Sequence, residues 1–293
     1  MLEVAHAVAD EGRLPDPAIT EAARAAAPAL TTVAPDRLRA GIEAVIMSRG
    51  LDVGLQWMHD SGVLAAVLPE LEATVDFSQE AGRRHKDVWE HTKLVVRQSV
   101  PQPAVRWAAL LHDVGKVPTR VLLPDGRVTF HRHAEIGARM FDPIAKRLGF
   151  ERPFRQKVRF LILHHLRANA YEPSWTDAAV RRFDLEMGGD LEDLLHLSRA
   201  DVTSRRPGRR QEAVANIHAL MDRILAIREL DSRIPPLPPG LGNAIMEAFS
   251  LPPSRRVGDI RKLCQDAVER GELEERRDAD YYVDYLRRTG VTS

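Results

Sequence analysis

The sequence predicts an all-α fold that carries one small β-hairpin, and three observations support this class. Apolar residues recur at helical spacing through most of the chain; residues 37–47, for example, place four of them on one face. Strand patterns are scarce, and the best consists of residues 121–123 and 127–130 on either side of a Pro-Asp-Gly turn. The hydrophobic content of 44% is enough for a sizeable core. We therefore expect a multi-helix core with the hairpin as a flap over it.

The predicted helices fall into three segments. Residues 1–80 form an N-terminal helical segment, and residues 81–203 carry the histidines and aspartates discussed below. Residues 204–293 form a C-terminal helical segment that follows an Arg-dense stretch at 205–210. A Pro-rich run at 235–240 interrupts this last segment and is typical of a stiff connector. We predict one domain for each segment.

Composition excludes several classes of protein. Lys plus Arg and Asp plus Glu both number 42, so the net charge is zero and RNA binding would need a local basic patch. The single cysteine, Cys264, excludes an internal disulfide and a cysteine-based zinc site, and its setting predicts a buried helical thiol. The N-terminus lacks a signal-peptide pattern, and no apolar run reaches the roughly 20 residues that span a bilayer. We expect a soluble cytoplasmic protein without a membrane partner.

The most informative motif follows a nearly continuous apolar helix that begins near Ala104. It ends in the adjacent pair His112 and Asp113, and Gly115 and Lys116 follow at once. An imidazole and a carboxylate at the end of a buried helix carry a desolvation penalty unless a further group pairs with them. A divalent metal ion supplies that pairing, because both groups ligate first-row divalent ions.

Further histidines and an aspartate occur on successive predicted helices and could converge on the same ion. The candidate metal ligands are His91, His112, Asp113, His133, His164, His165 and Asp201. Adjacent residues on a helix point about 100° apart, so we expect only one of His164 and His165 to face the primary ion. Four ligands (His91, His112, Asp113 and Asp201) would hold one ion, and His133 with one of the His pair would make a second ion possible.

The ligand types predict both the ion and the chemistry. Oxygen and imidazole ligands without thiolate favour Mn, Ni, Co, Fe or Mg over a structural zinc site. A bound divalent ion lowers the pKa of its water toward neutrality. We expect Asp113 to act at the reacting centre, and Lys116 and Arg167 to neutralise phosphoryl oxygens.

This order of His, His-Asp, His and Asp resembles the HD-domain superfamily of metal-dependent phosphohydrolases. More closely, residues 85–92, 108–116 and 175–183 resemble the HD region of bacterial CCA-adding tRNA nucleotidyltransferases and poly(A) polymerases. The resemblance implies a multi-helix HD-domain core. It also implies substrates that are 2′,3′-cyclic phosphates or phosphomonoesters of nucleotides or RNA ends.

The same resemblance extends to both sides of the HD region. Residues 34–38 and 61–71 are similar to that family's neck, and residues 257–260 and 268–273 are similar to its tail. The Gly-Ser signature and paired-aspartate motif of the family's polymerase head do not occur before residue 20. We therefore expect the neck, HD and tail portion without the nucleotidyltransferase head.

Three functions compete. The first is a metal-dependent phosphohydrolase, acting as a phosphodiesterase or phosphatase. The second is a tRNA- or RNA-binding module with a vestigial or structural metal site, and the third is a nucleotide-sensing regulatory protein. The second would use a basic patch of Arg205, Arg206, Arg209 and Arg210, with Arg255, Arg256, Arg261 and Lys262. The same arginines also fit a solvated loop.

Overall fold

The computed structural model describes residues 1–77, 87–204, 206, 208–232 and 235–290. Its described part is helical apart from loops and one two-stranded antiparallel sheet, which confirms the predicted all-α class with a hairpin. The chain divides into two compact units, residues 1–225 and 226–293. The three-domain division at residues 80/81 and 203/204 stays a prediction. None of the described helices combines the length and apolar character needed to cross a bilayer.

The first unit begins with six short helices. These are α1 (Leu2–Glu11), α2 (Pro17–Ala26), α3 (Pro35–Met47), α4 (Leu51–Asp60), α5 (Val63–Val67) and α6 (Pro69–Glu72), with a 3₁₀ helix at Ala27–Thr32. Helix α1 packs on α3 and α4. Gly54 allows this approach, because a Cβ atom there would lie 2.5 Å from the Cβ of Ala9. Helices α1, α3 and α4 thus pack closely on one another.

The central part of the first unit contains the longer helices and the hairpin. The elements are α7 (Val88–Gln98), α8 (Pro103–Leu111), α9 (Lys116–Thr119), β1 (Val121–Leu122), β2 (Val128–Thr129), α10 (His133–Arg147), α11 (Arg152–His164), α12 (Asp177–Met187) and α13 (Leu191–Asp201). Helix α14 (Arg209–Ser232) begins in the first unit and ends in the second. Short 3₁₀ helices at Ala168–Ala170 and Gly188–Asp190 flank α12.

Helix α8 lies at the centre of this part. Pro103 occupies its first turn, where the missing N–H has no helical partner in any case. All residues from Ala104 to Leu111 are buried, including Arg106, whose guanidinium donates to the backbone carbonyls of Ile46 and Ser99. Helices α7, α11 and α13 pack against α8, and α10 packs against α11. The polar residues that follow Leu111 are therefore surrounded by neighbouring helices.

The hairpin agrees with the prediction. Strands β1 and β2 pair Val121 with Thr129 and Leu122 with Val128, and residues 123–127 close the turn. The two β1 side chains are exposed, so this sheet contributes little to the core.

The second unit contains α15 (Leu241–Phe249), α16 (Arg255–Glu269) and α17 (Ala279–Thr289). Its core includes Ile245, Ile260, Tyr282 and Leu286 around Cys264, whose side chain is fully buried. The prediction of a buried helical thiol is confirmed. Burial raises the pKa of Cys264 to about 11, because the thiolate would lose its hydration there.

Candidate metal centre

The candidate ligands lie at or near the ends of five helices, and these helix ends lie close together. Helix α7 carries His91, and the turn after α8 carries His112 and Asp113. Helix α10 begins at His133, and His165 follows α11. Asp201 is the last residue of α13. Because these helices pack directly on α8 or on α11, their termini meet at the end of α8.

The first group of ligand atoms consists of His91, His112 and Asp201. The Nε2 atoms of His91 and His112 lie 3.2 Å apart. An Oδ1 atom of Asp201 lies 3.0 Å from His91 Nε2 and 3.5 Å from His112 Nε2. The three atoms therefore surround a space of the size of one metal ion.

The second group consists of Asp113, His133 and His165. The Nε2 atoms of His133 and His165 lie 3.3 Å apart, and Asp113 Oδ1 lies 3.5 Å from His133 Nε2. The other oxygen of Asp113, Oδ2, lies 3.2 Å from His112 Nε2 in the first group. Asp113 thus connects the two groups through its two carboxylate oxygens.

The other ring nitrogen of each histidine is held by a hydrogen bond. Nδ1 of His112, His133 and His165 donates to a backbone carbonyl oxygen at 2.8, 2.9 and 2.7 Å, and Nδ1 of His91 lies 3.0 Å from Thr203 Oγ1. A carbonyl oxygen only accepts, so these three rings carry a proton on Nδ1. In the neutral ring, Nε2 then presents a lone pair to the cluster, as metal-ligating histidines do.

The pKa values follow from burial and from the two carboxylates. Burial lowers the pKa of His133, and burial with the neighbouring His112 lowers that of His165 to about 4. Burial alone would also lower the pKa of His112, but Asp113 and Asp201 outweigh it and raise that pKa to about 10. Burial opposes the charged form of both carboxylates as well, yet His112 and its neighbours hold the pKa of Asp113 and Asp201 well below the usual range.

In these protonation states, the lone pairs of two histidine nitrogen atoms face each other. His133 and His165 are neutral at pH 7 and protonated on Nδ1, so their Nε2 lone pairs point at each other across 3.3 Å. Two acceptors at this distance repel unless a cation lies between them. The donor set of imidazole nitrogen and carboxylate oxygen fits a divalent first-row ion.

Family comparisons agree with this geometry. The profile of the HD domain matches residues 78–227, which is about half of the chain. The chain belongs to the HD-domain family. A second profile, described as the probable RNA and SrmB-binding site of polymerase A, matches residues 15–74. Both matches confirm the resemblance predicted from the motifs.

Curated relatives of this HD-domain protein include two tRNA nucleotidyltransferases and a multifunctional CCA protein. The A-adding tRNA nucleotidyltransferase of Deinococcus radiodurans is 32% identical over 255 residues, covering 85% of this chain and 57% of that protein. The CC-adding tRNA nucleotidyltransferase of Thermus thermophilus is 30% identical over 260 residues, covering 86% and 57%. The multifunctional CCA protein of Pseudomonas paraeruginosa is 31% identical over 144 residues. The chain thus spans 57% of the length of the first two relatives.

Lys116 lies beside the HD-domain cluster. Its Nζ donates to Asp113 Oδ2 at 2.7 Å and lies 5.7 Å from the centre of the Phe130 ring. The chain between Asp113 and Lys116 can lie against the backbone of α10, at His133 and Gly137, because Gly115 has no side chain. Lys116 therefore places a positive charge where the cluster meets the half-buried Phe130.

Two predicted site residues contact side chains outside the groups of candidate ligands. His164 is half-buried, and its ring packs on Phe160 with centroids 4.4 Å apart, whereas His165 joins the ligand cluster. Arg167 donates to Glu186 at 2.5 Å and lies over the ring of Phe183. Among the described residues, neither His164 nor Arg167 belongs to a group of candidate ligands.

The candidate basic patch is spread over both units. Arg206, Arg209 and Arg210 are exposed at or just before the start of α14, and Arg205 lies outside the described residues. The remaining members, Arg255, Arg256, Arg261 and Lys262, are exposed on α16 in the second unit.

Thr203 is a site residue that the sequence analysis missed. Its Oγ1 lies 3.0 Å from His91 Nδ1. The sequence contains no spacing signal for it, because it follows α13 in an irregular segment and meets a histidine 112 residues away.

Proposed function

We propose that this HD-domain protein is a metal-dependent phosphohydrolase that acts on 2′,3′-cyclic phosphates or phosphomonoesters of nucleotides or RNA ends. The observation that carries this proposal is the pair of Nε2 atoms of His133 and His165, which face each other at 3.3 Å inside the cluster. Each ring is held by a hydrogen bond from Nδ1 to a backbone carbonyl, so both Nε2 atoms present lone pairs. Repulsion between these two lone pairs would not stabilise a purely structural cluster. A bound cation would instead be ligated by both nitrogen atoms.

The two groups of ligand atoms suit one or two divalent ions. His91, His112 and Asp201 would hold one, and His133 and His165 a second, with Asp113 touching both groups. Mn, Co, Ni, Fe and Mg fit such oxygen and imidazole donors. A bound ion supplies positive charge to phosphoryl oxygens and lowers the pKa of water.

Lys116 and Arg167 are the proposed phosphate contacts. The Lys116 ammonium would bind a phosphoryl oxygen and stabilise it as negative charge develops during cleavage. Arg167 would exchange its partner Glu186 for the substrate. Lys116 is only 12% exposed and contacts the buried Asp113, so bulk water screens its charge weakly.

RNA ends are included among the substrates because of the matched profiles and relatives. Residues 15–74 match an RNA-binding profile, and the relatives covering most of this chain are named for tRNA. We propose tRNA or another RNA as the source of the phosphate ester.

The test is phosphate-ester hydrolysis after metal removal, with Mg, Mn, Co or Ni added back. The panel contains a 2′,3′-cyclic nucleotide, 2′-, 3′- and 5′-monophosphates, and short RNAs ending in each group. We expect a transition metal to restore activity in the wild type and not in Asp113→Ala. No turnover with any metal and substrate would overturn the proposal.

A second candidate function is an RNA-binding module in which the metal site is structural. It is favoured by the RNA-binding profile over residues 15–74 and by the exposed Arg206, Arg209 and Arg210. Backbone contacts by arginine give RNA affinity a steep dependence on salt. RNA binding that weakens steeply with salt, falls in Arg209→Gln and Arg210→Gln and occurs without turnover would select this function.

A further inference from the structure

A row of two aromatic rings between two cations lies next to the cluster. It runs from Lys116 through Phe130 and Phe77 to Arg120, and we call it the aromatic row. Lys116 Nζ is 5.7 Å from the Phe130 centroid, the two ring centroids are 6.4 Å apart, and Arg120 Cζ is 5.6 Å from the Phe77 centroid. Each neighbour is close enough for a favourable cation–ring or ring–ring contact.

The hairpin builds this row. Arg120 immediately precedes β1 and Phe130 immediately follows β2, and the pairing of Val121 with Thr129 holds the two ends side by side. The β1 side chains are exposed, so the hairpin is not needed to complete the core. The hairpin instead places Arg120 near Phe130 and Phe77.

One end of the row is tied to the cluster by two hydrogen bonds. Lys116 Nζ donates to Asp113 Oδ2 at 2.7 Å, and the carbonyl of Phe130 accepts from His133 Nδ1 at 2.9 Å. The backbone of Phe130 is therefore held next to His133, and Lys116 is held next to Asp113. A phosphate bound at Lys116 would have the aromatic row beside it.

The other end of the row is open to a ligand. Phe77 and Phe130 are half-buried and Arg120 is exposed. No carboxylate among the described residues lies within ion-pair distance of Arg120, so its guanidinium is held there by the Phe77 ring. A guanidinium anchored on a ring offers its other face, and proteins stack nucleobases on arginine planes and on aromatic rings.

We infer that the aromatic row binds the base of the substrate, with Arg120 and Phe77 stacking on it while the phosphate lies at Lys116. This inference rests on the proposed function, and it names the side chains that would hold the base of the nucleotide. Every base has a stacking face, and the row offers rings and cations without a side-chain amide or carboxylate to read base edges. The site therefore accepts all four bases and prefers the larger purines.

The experiment compares two non-hydrolysable ligands that differ only in the base: the 5′-methylenephosphonates of adenosine and of ribose. Calorimetric titration of the full chain loaded with Mn measures both dissociation constants. We expect the adenosine ligand to bind about tenfold more tightly. Arg120→Lys keeps the charge but loses the guanidinium plane, and Phe77→Leu keeps the apolar volume but loses the ring. Both variants should reduce the ratio to about threefold or less.

Arg127→Lys is the matched control, since Arg127 lies on the same hairpin and pairs with Asp125 at 2.7 Å, away from the rings. It should keep the wild-type ratio. Equal binding of the two ligands by the wild type would overturn the inference. An unchanged ratio of the two dissociation constants in Arg120→Lys would overturn it as well, because this surface substitution leaves the core intact.

The hydrolysis panel separates this failure from failure of the proposed function. Hydrolysis of ribose 5-phosphate and a nucleoside 5′-monophosphate with equal kcat/KM would reject the base site and leave the phosphohydrolase standing. A base preference in binding without hydrolysis of any ester would reject the phosphohydrolase and support a nucleotide-binding site.

Discussion

Gly115 and His133 approach each other so closely that a Cβ atom on Gly115 would overlap the carbonyl oxygen of His133. The backbone of Gly115 is helical, with φ −68° and ψ −13°, so a larger residue is excluded by contact and not by its conformation. The same Cβ would also lie 2.6 Å from the backbone nitrogen of Gly137. The turn that follows His112 and Asp113 is therefore pressed against the start of α10, which carries another candidate ligand.

The first prediction concerns Gly115→Ala. The methyl group must push α10 away, so we expect His133 to leave the cluster, metal content to fall and stability to drop by about 2 kcal/mol. Metal analysis and thermal unfolding measure both effects. Gly137→Ala is the control, because its Cβ would meet its neighbours at 3.5 Å or more. Unchanged metal content in Gly115→Ala would contradict this account of the contact.

The second prediction separates the adjacent histidines. His165→Ala should lose bound metal and hydrolysis, since His165 Nε2 faces the cluster and its side chain is 1% exposed. His164→Ala should keep its metal, since its ring packs on Phe160. Metal content after dialysis measures the difference. Equal loss in the two variants would mean that helix α11 is rotated relative to the present structure.

The third prediction concerns Lys116. Lys116→Ala should lower kcat about 100-fold and leave the metal bound, because the ammonium contacts Asp113 and the phosphate without being a ligand. The measurements are kcat for the best substrate of the panel and metal content. Lys146→Ala, an exposed lysine on α10, is the matched control. Loss of metal together with activity would assign Lys116 a role in building the cluster.

The fourth prediction concerns metal removal. A ligand that binds only the folded chain stabilises it by about 3 kcal/mol at a hundred times its dissociation constant. We therefore expect a chelator to lower the Tm of the wild type and added Mn to restore it. His112→Ala and Asp113→Ala, which lack buried ligands, should show a Tm that no longer depends on metal. If neither chelator nor Mn changed the Tm of the wild type, this result would argue against a metal centre.

The fifth prediction concerns pH and the core of the second unit. The pKa of Cys264 is about 11 in the folded chain, above its ordinary value of 9.0. The unfolded state therefore releases the thiol proton first, and the free energy of unfolding should fall as pH rises from 9 to 11, by about 1.4 kcal/mol per unit. Denaturant unfolding of the wild type and Cys264→Ala measures the difference. Parallel pH curves for the two proteins would contradict this contribution.

Much of the fold could be predicted because its signals are local. The apolar run before His112 is nearly continuous, so its burial and its end at Leu111 follow from the sequence. The Pro-Asp-Gly turn predicts the hairpin in the same way. Position within a helix could also have decided between the two adjacent histidines. Val158, Leu161 and Ile162 are the buried residues of α11, and His165 continues their face while His164 does not.

The remaining parts of the site depend on contacts between distant residues. Thr203 meets His91 only because α7 and α13 pack together, and Phe77 meets Phe130 across more than 50 residues. Neither contact has a spacing that a sequence pattern could detect. Arg167 is a similar case, because its place in the sequence beside the His pair predicts a phosphate contact but does not predict its neighbours Glu186 and Phe183.

Three of the candidate histidine ligands are held by the same type of hydrogen bond. His112, His133 and His165 each donate from Nδ1 to the carbonyl of the residue three positions earlier, at Ala109, Phe130 and Ile162. The accepting group is main chain, so the side chains at those three positions are free to change without disturbing the tautomer of the ring. Each of these three candidate ligands is thus oriented by the backbone of its own four-residue segment, whereas the ring of His91 lies against the side chain of Thr203. Substitutions of the side chains at Ala109, Phe130 and Ile162 therefore leave the hydrogen bond that orients each of the three rings in place.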